Sequence, residues 1–368
     1  MLNRVSNHKD KNRRLRESEN FFAGKCDLRW QIWEFSLITV FIYSNWEGNL
    51  MSPFIESVRV EIRTRQYSLQ TEKSYLNWVR AFIRFHDRRH PKELGNQEIE
   101  QFLNHLAVNR QVSSATQNQA LCALIFMYRY VVGREIEGLS YAFTKAPKRM
   151  PTVLSAAEAQ LIISHMQGKY KLITALLYGA GLRINEALKL RVKDVDFNHG
   201  SIFIFRGKGG KDRYSILPRS LVEPLRQQIE KSKQVHQRDV GDGFGLTSLP
   251  ASLIRKYGNA AKDPCWQYVF PSSTRCQHPH DGYICRHHIH HSAYRKNLRQ
   301  AVLKSGIAKR ITAHTFRHTF ATQLLLNGSD IRTVQDLLGH SDVRTTEIYT
   351  HVIGSRFGGT ISPIDIQR

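Results

Sequence analysis

Four side chains between residues 314 and 349 could act together on one anionic centre: His314, Arg317, His340 and Tyr349. His314 and Arg317 form a His-x-x-Arg pair. His340 follows Leu337-Leu338-Gly339, and Tyr349 comes nine residues later. An arginine grips two phosphate oxygens at once, a histidine moves protons near neutral pH, and a tyrosine is a potential nucleophile. Donors and a phenol in this combination suit a phosphodiester. Taken singly each element is weak, because a His-x-x-Arg pair turns up on many surface helices and a tyrosine near a histidine is usually packing.

The segments that must position these groups read as short helices with tight stops. Phe320, Leu324 and Leu325 share a face that Asn327-Gly328 ends. Ser329 or Asp330 can cap the next helix, which runs through Ile331, Val334, Leu337 and Leu338 to Gly339. Ser341 can cap a third, which carries Tyr349. Upstream, an apolar helix from Leu172 to Tyr178 stops at Gly179-Ala180-Gly181, and Arg183 opens a new helix directly after that turn. This is a rigid mounting with backbone N–H groups available to an anion; the plainer reading is a surface arginine paired with Glu186. Ser201 to Phe205 reads as a strand, residues 206–213 as a glycine-rich turn, and Tyr214 to Leu217 as the returning strand. A lysine at such a tip can reach into a site that closes around a substrate. Lys208 and Lys211 both sit there, and by residue type either could simply contact phosphate.

The composition points to a polyanionic partner. In 368 residues, Lys and Arg total 54 against 31 Asp and Glu, a formal net charge of +23. Each cation placed on a phosphate releases a counterion, and these basic residues are spread along the chain rather than confined to one amphipathic segment. That favours nucleic acid over a membrane surface. Five cysteines in a chain this long fit a reduced, cytoplasmic setting better than a disulfide framework.

Residues 1–50 differ in character from the remainder of the chain. Arg4 to Arg16 is a polar basic run expected to be disordered. Trp30 to Trp46 is apolar but contains Glu34 and falls short of the roughly 20 residues of a spanning helix. No small-residue cleavage site of a signal peptide comes after it. From residue 51 to 141 the periodicity is helical. Ile55, Val58 and Ile62 mark one helix, and Tyr75, Trp78, Val79, Phe82 and Ile83 a second. Ile99, Phe102, Leu103 and Leu106 mark a third, and Leu121, Leu124, Ile125 and Tyr128 a fourth, capped at Ser113-Ser114. Four such helices suggest a small bundle, with Arg63, Arg65, Lys73, Arg80 and Arg84 among its polar positions. Residues 142–151, with two prolines and three basic residues, read as a linker. Ser155 to Glu158 reads as a capping box that opens a second domain.

The ordered set Arg183, His314-x-x-Arg317, Leu338-Gly339-His340 and Tyr349 resembles the signature of the tyrosine recombinase (phage integrase) family. The resemblance begins at Met51, which leaves residues 1–50 outside the family core. It implies a mainly α fold with a small β-sheet or hairpin, arranged as a two-domain C-shaped clamp. A SAM-like helical core-binding domain (51–141) would carry DNA contacts such as Lys73 and Arg80. A catalytic α/β domain (152–357) would come next, with a tail at 358–368. The implied catalytic set is Arg183, Lys208, His314, Arg317, His340 and Tyr349. Lys208 matches the family's hairpin lysine, the general acid toward the departing 5′ oxygen, and Lys211 is its competitor. No cofactor or metal is implied, since cationic side chains take the place of metal ions on the phosphate. The family also implies a homotetramer on DNA, with no membrane role, in the bacterial cytoplasm at the nucleoid.

Between the hairpin and His314 the chain is longer than in compact family members, with an insertion at about residues 235–291. Leu249 to Tyr257 reads as a short helix, Trp266 to Pro271 as a strand, and Arg286-His287-His288 lies beyond it. This arrangement resembles integron integrases. That resemblance implies folded single-stranded cassette sites alongside duplex attachment sites, with unpaired bases held by the insertion. A flipped-out base needs an aromatic or flat apolar wall. Trp266 is the candidate platform, with Pro279, His287 and His288 beside it; core packing is the plainer role for Trp266. Cys265, Cys276, Cys285 and the neighbouring histidines could be read as a zinc site, but no tight Cys-x-x-Cys spacing is present. The rivals are a Xer- or phage-type recombinase of duplex sites, and a non-catalytic DNA-binding protein using the helical run Asp330 to Thr350. The second leaves Arg183, Lys208 and His314 without a task.

Overall fold

A computed structural model describes residues 52–139, 150–205, 207, 211–279 and 281–354, with backbone alone from 350 onward. The extension 1–50, most of the linker, Lys208 and the tail 358–368 lie outside the described residues. The chain divides into two compact units, Met1–Lys148 and Arg149–Arg368.

Among the described residues the first unit holds four α-helices: α1 (Pro53–Thr64), α2 (Leu69–Phe85), α3 (Asn96–Val108) and α4 (Ser114–Met127). Ser68 and Ser113 accept hydrogen bonds from Thr71 N and Thr116 N, which fixes where α2 and α4 begin. The apolar stripes close one core around Val58, Ile62, Val79, Phe82, Ile99, Leu103, Leu121 and Leu124. α4 buries residues on all sides, from Thr116 and Gln117 to Phe126 and Met127, because the other helices surround it. Exposed Lys73 and Arg84 and half-buried Arg80 share the opposite face of α2 at helical spacing. Arg63 is held by Glu72 at 2.9 Å and Arg65 by Glu61, so part of the basic surface is internally paired.

The second unit begins with the expected capping box: Ser155 Oγ accepts from Glu158 N (3.1 Å) and Glu158 Oε2 from Ser155 N (2.8 Å). Its first elements are α5 (Ala156–Ser164), α6 (Gly168–Gly179), α7 (Ile184–Lys189), β1 (Val195–Asp196), β2 (Ser201–Ile204) and β3 (Arg213–Ile216). Then come α8 (Val222–Gly241), α9 (Ala251–Tyr257), β4 (Cys276–Gln277), β5 (Ile284–Cys285) and α10 (His291–Ser305). The last three are α11 (Ala313–Leu326), α12 (Ile331–Leu338) and α13 (Arg344–Gly354). The strands form two small antiparallel sheets, β1-β2-β3 and β4-β5. Ile202 and Ile204 of β2 turn into a core built with Leu176, Leu177, Leu188, Val269, Phe270, Leu298 and Phe316. Tyr214 and Ile216 of β3, paired with Phe203 and Ser201 on the other face of the sheet, are exposed.

Two local expectations change. Residues 266–271 form no strand: Trp266 closes a 3₁₀ turn, and Tyr268 and Pro271 make isolated bridges to Arg191 and His288. Gln267 and Val269 alternate bonds with Val192 and Leu190, so the segment's backbone groups are satisfied by a neighbouring loop rather than a ladder. Asp342 rather than Ser341 holds the start of α13, its Oδ1 accepting from Arg344 N at 2.9 Å; a carboxylate two residues ahead reaches the unpaired N–H better placed than the hydroxyl.

The turn between α6 and α7 determines where Arg183 projects. Gly181 has φ +62°, and a Cβ there would lie 2.4 Å from the Phe320 ring of α11. Gly181→Ala therefore combines left-handed strain with overpacking, an expected loss of about 2–4 kcal/mol in urea unfolding. A loss well under 1 kcal/mol would show that α11 does not press on this turn.

Candidate active site

One carboxylate organises the centre. Glu186 Oε2 caps the Arg183 backbone N (2.8 Å), and Oε1 takes the Arg183 side chain at 2.8 Å. Arg213, at the start of β3, binds the same carboxylate through two bonds of 2.9 and 2.6 Å. Arg317 of α11 stands 3.8 Å from Oε2. Burial alone would raise the Glu186 carboxyl, but the Arg213 hydrogen bonds and the charges of Arg183 and Arg317 outweigh it and hold it at about 2. The plainer reading of Arg183, a pair with Glu186, is therefore what the structure shows.

The guanidiniums also use helix-end carbonyls. Arg213 donates to Leu337 O (3.0 Å), and Arg317 to Leu338 O and Gly181 O (2.5 Å each). Arg183 reaches Gly339 O at 3.5 Å. Leu337 and Leu338 end α12, where carbonyls lack helical partners and the helix dipole is negative. Gly339, with φ +61°, lets this turn lie against Arg213: a Cβ there would sit 2.7 Å from Arg213 Cδ.

Above this layer lie the phenol and the imidazoles. Tyr349, only 2 % exposed, is bonded through Oη to His318 Nδ1 at 2.8 Å. Burial raises its phenol above the ordinary range, while the charges of Arg317 and Arg183 pull the other way. His318 is held neutral, at about 4, first by burial and then by His314 and Arg317. In the neutral tautomer with its proton on Nε2, Nδ1 accepts and the phenol is the donor. His340 stacks over Tyr349 with ring centres 6.4 Å apart. Its Nε2 takes a 3.4 Å contact from Arg317, and its Nδ1 meets Thr346 Oγ1 at 2.9 Å. An arginine can only donate, so Nε2 accepts and Nδ1–H points to Thr346.

The fold thus gathers Arg183, Arg317, His340 and Tyr349. Half-buried His314 is one turn from His318, their ring centres 6.1 Å apart. Lys211 is exposed, and its carbonyl accepts from Gly207 N at 2.9 Å. Sequence reasoning missed His318 and Arg213. The signal for His318 was its i+4 spacing from His314 on one helix; Arg213 carried none beyond its place at the foot of the returning strand.

In the insertion, half-buried Trp266 has Lys193 Nζ 3.9 Å over its ring and Tyr257 5.4 Å away. His287 and His288 both pack on Tyr268, at 5.5 and 5.3 Å. Burial lowers both, His288 to about 3. Pro279 is exposed on the β4–β5 hairpin. Among the described residues no three His, Cys, Asp or Glu side chains are grouped as a metal site requires.

Two measurements probe this electrostatic layer. Glu186→Ala leaves buried guanidiniums without their counter-charge, at an expected cost of about 3–5 kcal/mol in urea unfolding; a loss below about 1 kcal/mol would mean the arginines do not depend on it. His318, lowered from 6.5 to about 4, lets the unfolded chain bind the proton first. Its contribution is whole above pH 6.5 and lost as pH falls towards 4. Wild type should weaken across that window, and His318→Gln should weaken less, with no difference in slope above pH 7. Equal slopes for the two proteins between pH 6.5 and 4 would overturn the assignment.

The comparisons with known proteins agree with this architecture. The model of the Phage integrase family matches residues 152–355, and that of the phage integrase N-terminal SAM-like domain matches residues 54–138. An "Integrase/recombinase" of Escherichia coli is 46% identical over 312 residues, 84% of this chain and 93% of that protein. The "Tyrosine recombinase XerD" of Agrobacterium fabrum is 27% identical over 330 residues, 84% and 92% of the two chains. Among solved structures, XerH site-specific recombinase bound to palindromic difH substrate aligns over 92% of each chain with TM-score 0.54 and 21% identity. The Tn1549 transposon integrase in complex with transposon right end DNA aligns over 83% and 99% with TM-score 0.55 and 17% identity. Those two likenesses concern the fold. No helix among the described residues is long and apolar enough to cross a membrane. A SAM-like helical domain followed by a catalytic domain, the match over 152–355 and the 46% identical relative together establish that this chain belongs to the phage integrase family and is a tyrosine-type site-specific recombinase.

Proposed function

We propose that the chain is an integron-type integrase. It integrates and excises gene cassettes, acting as a tetramer on folded single-stranded cassette sites and duplex attachment sites. The observation that carries the chemistry is the Tyr349 phenol lying, in its own chain, against His340 and under the charges of Arg183 and Arg317.

Tyr349 Oη attacks the scissile phosphorus, the P–O5′ bond breaks, and a 3′-phosphotyrosyl ester forms. The departing 5′ oxygen takes a proton from Lys208, with Lys211 as the competing donor. The ester keeps the energy of the broken bond, so a 5′-hydroxyl from a partner site reverses the step without ATP. Arg183 and Arg317 hold the non-bridging oxygens as charge builds. His340 donates to the phosphate once Nε2 carries a proton, so phosphate entry requires proton uptake or tautomer exchange there. The phenol's proton passes to His314 as general base. For that the phenol leaves His318, its partner at rest, for the next imidazole along α11.

Support for the cassette-site reading comes from the insertion: a half-buried tryptophan with a lysine over its ring combines stacking with charge, as single-strand binders do. The names of the XerD relatives favour a second reading, recombination of duplex sites alone.

Two assays test this. Tyr349→Phe should bind DNA yet trap no covalent adduct on a suicide substrate; a denaturant-resistant complex of the variant would refute the nucleophile. Wild type should bind the folded single strand of a cassette site about tenfold more tightly than its duplex, and Trp266→Ala should remove most of that preference, about 1–3 kcal/mol per stacked base. Equal or tighter duplex binding would favour the second reading.

A further inference from the structure

Cys276 and Cys285 are register partners across the β4–β5 hairpin. Both are free, Cys276 exposed and Cys285 buried. Cross-strand neighbours have Cα atoms about 4.5–5.5 Å apart, within the roughly 4.4–6.8 Å that a disulfide spans. The backbone around the pair is pinned. Just outside it, Arg275 and Arg286 bind the same carboxylate, Asp239 of α8, at 3.3 and 2.5 Å, and Arg275 also reaches Asp242 at 2.7 Å. Just inside it, His278 N donates to Tyr283 O (2.8 Å), and the two rings stack at 4.8 Å. Tyr283 Oη is tied to Leu249 O at 2.5 Å.

We propose that Cys276 and Cys285 are a modification site, a dithiol that a small-molecule disulfide oxidises to an intrachain bridge, locking the 276–285 hairpin. Side-chain rotation suffices, because the flanking contacts already hold the strands in register. The Cys276 thiolate attacks the small disulfide, forms a mixed disulfide and expels one thiolate. The Cys285 thiolate then attacks the Cys276 sulfur and expels the second. The two protein thiols supply two electrons, and the small disulfide leaves as two thiols. Exposed Cys276 meets the oxidant first. Burial and the neighbouring Cys276 hold the Cys285 thiol up, and the second of these is removed once Cys276 is tied in the mixed disulfide, so Cys285 can then give up its proton and resolve the adduct. With the Cys276 sulfur exposed, such a bridge is open to reduction, so the reduced pair is the resting form in a reducing compartment.

The lock falls on the hairpin that carries Pro279. Its effect on DNA rests on the cassette-site reading above: fixing the hairpin changes the affinity for a folded single strand and leaves that for duplex unchanged.

The test equilibrates the full chain with reduced and oxidised glutathione at graded ratios, then alkylates it and maps the peptides. Cys276 and Cys285 should lose alkylation together, with the mass of two hydrogens lost. Amide exchange across 277–284 should slow about tenfold. A glutathione adduct on Cys276 with Cys285 still alkylated, or both thiols free in buffers that oxidise dithiothreitol, would overturn the bridge. Cys276→Ser should abolish both changes. With the bridge mapped, unchanged single-strand affinity would overturn the coupling to DNA. A reduced protein with no single-strand preference would instead count against the cassette-site reading, leaving the bridge intact.

Discussion

The Glu186 carboxylate, surrounded by Arg183, Arg213 and Arg317, is the constraint on which the rest of the catalytic unit depends. Like-charged guanidiniums repel, and burying them is costly unless each is bonded. One carboxylate cannot neutralise three. The balance comes from carbonyl oxygens at the end of α12 and at the Gly181 turn, which offer partial negative charge without a second acid. The cluster therefore keeps net positive charge at a defined place. The cost of assembling it is met in folding.

This constraint explains the spacing of the short helices. Arg183 comes from the turn after α6, Arg213 from β3 and Arg317 from α11, so four separate elements, counting α12, must meet within bonding distance. Gly181 and Gly339 permit two of these approaches, one against Phe320 and one against Arg213. The chain's formal net charge of +23 favours a polyanionic partner such as DNA.

Tyr349 is stored, not presented. Its phenol is buried, bonded to a neutral histidine, and raised by that burial. A phenol in this setting is shielded from solvent and keeps its proton at neutral pH. The i, i+4 pair His314 and His318 places two imidazoles along the same helix face, one occupied by the phenol at rest and the other nearby.

Much of this was legible from residues alone, for physical reasons. Hydrophobic period and capping residues specify helices locally, so α1 to α4, the Ser155 box and the glycine stops could be read without tertiary structure. The Tyr349, His340 and Arg317 signature carried its own order. Other features depend on groups far apart in the chain. The bond between Tyr349 and His318 rather than another imidazole results from how α13 lies on α11. The sharing of Glu186 by Arg213 joins residues that no local pattern connects. Residues 266–271 make isolated bridges to Arg191 and His288 instead of a ladder, a pairing that no local pattern shows. Local propensity could name the elements; which group touches which was decided by long-range packing and by the need to pair every buried charge.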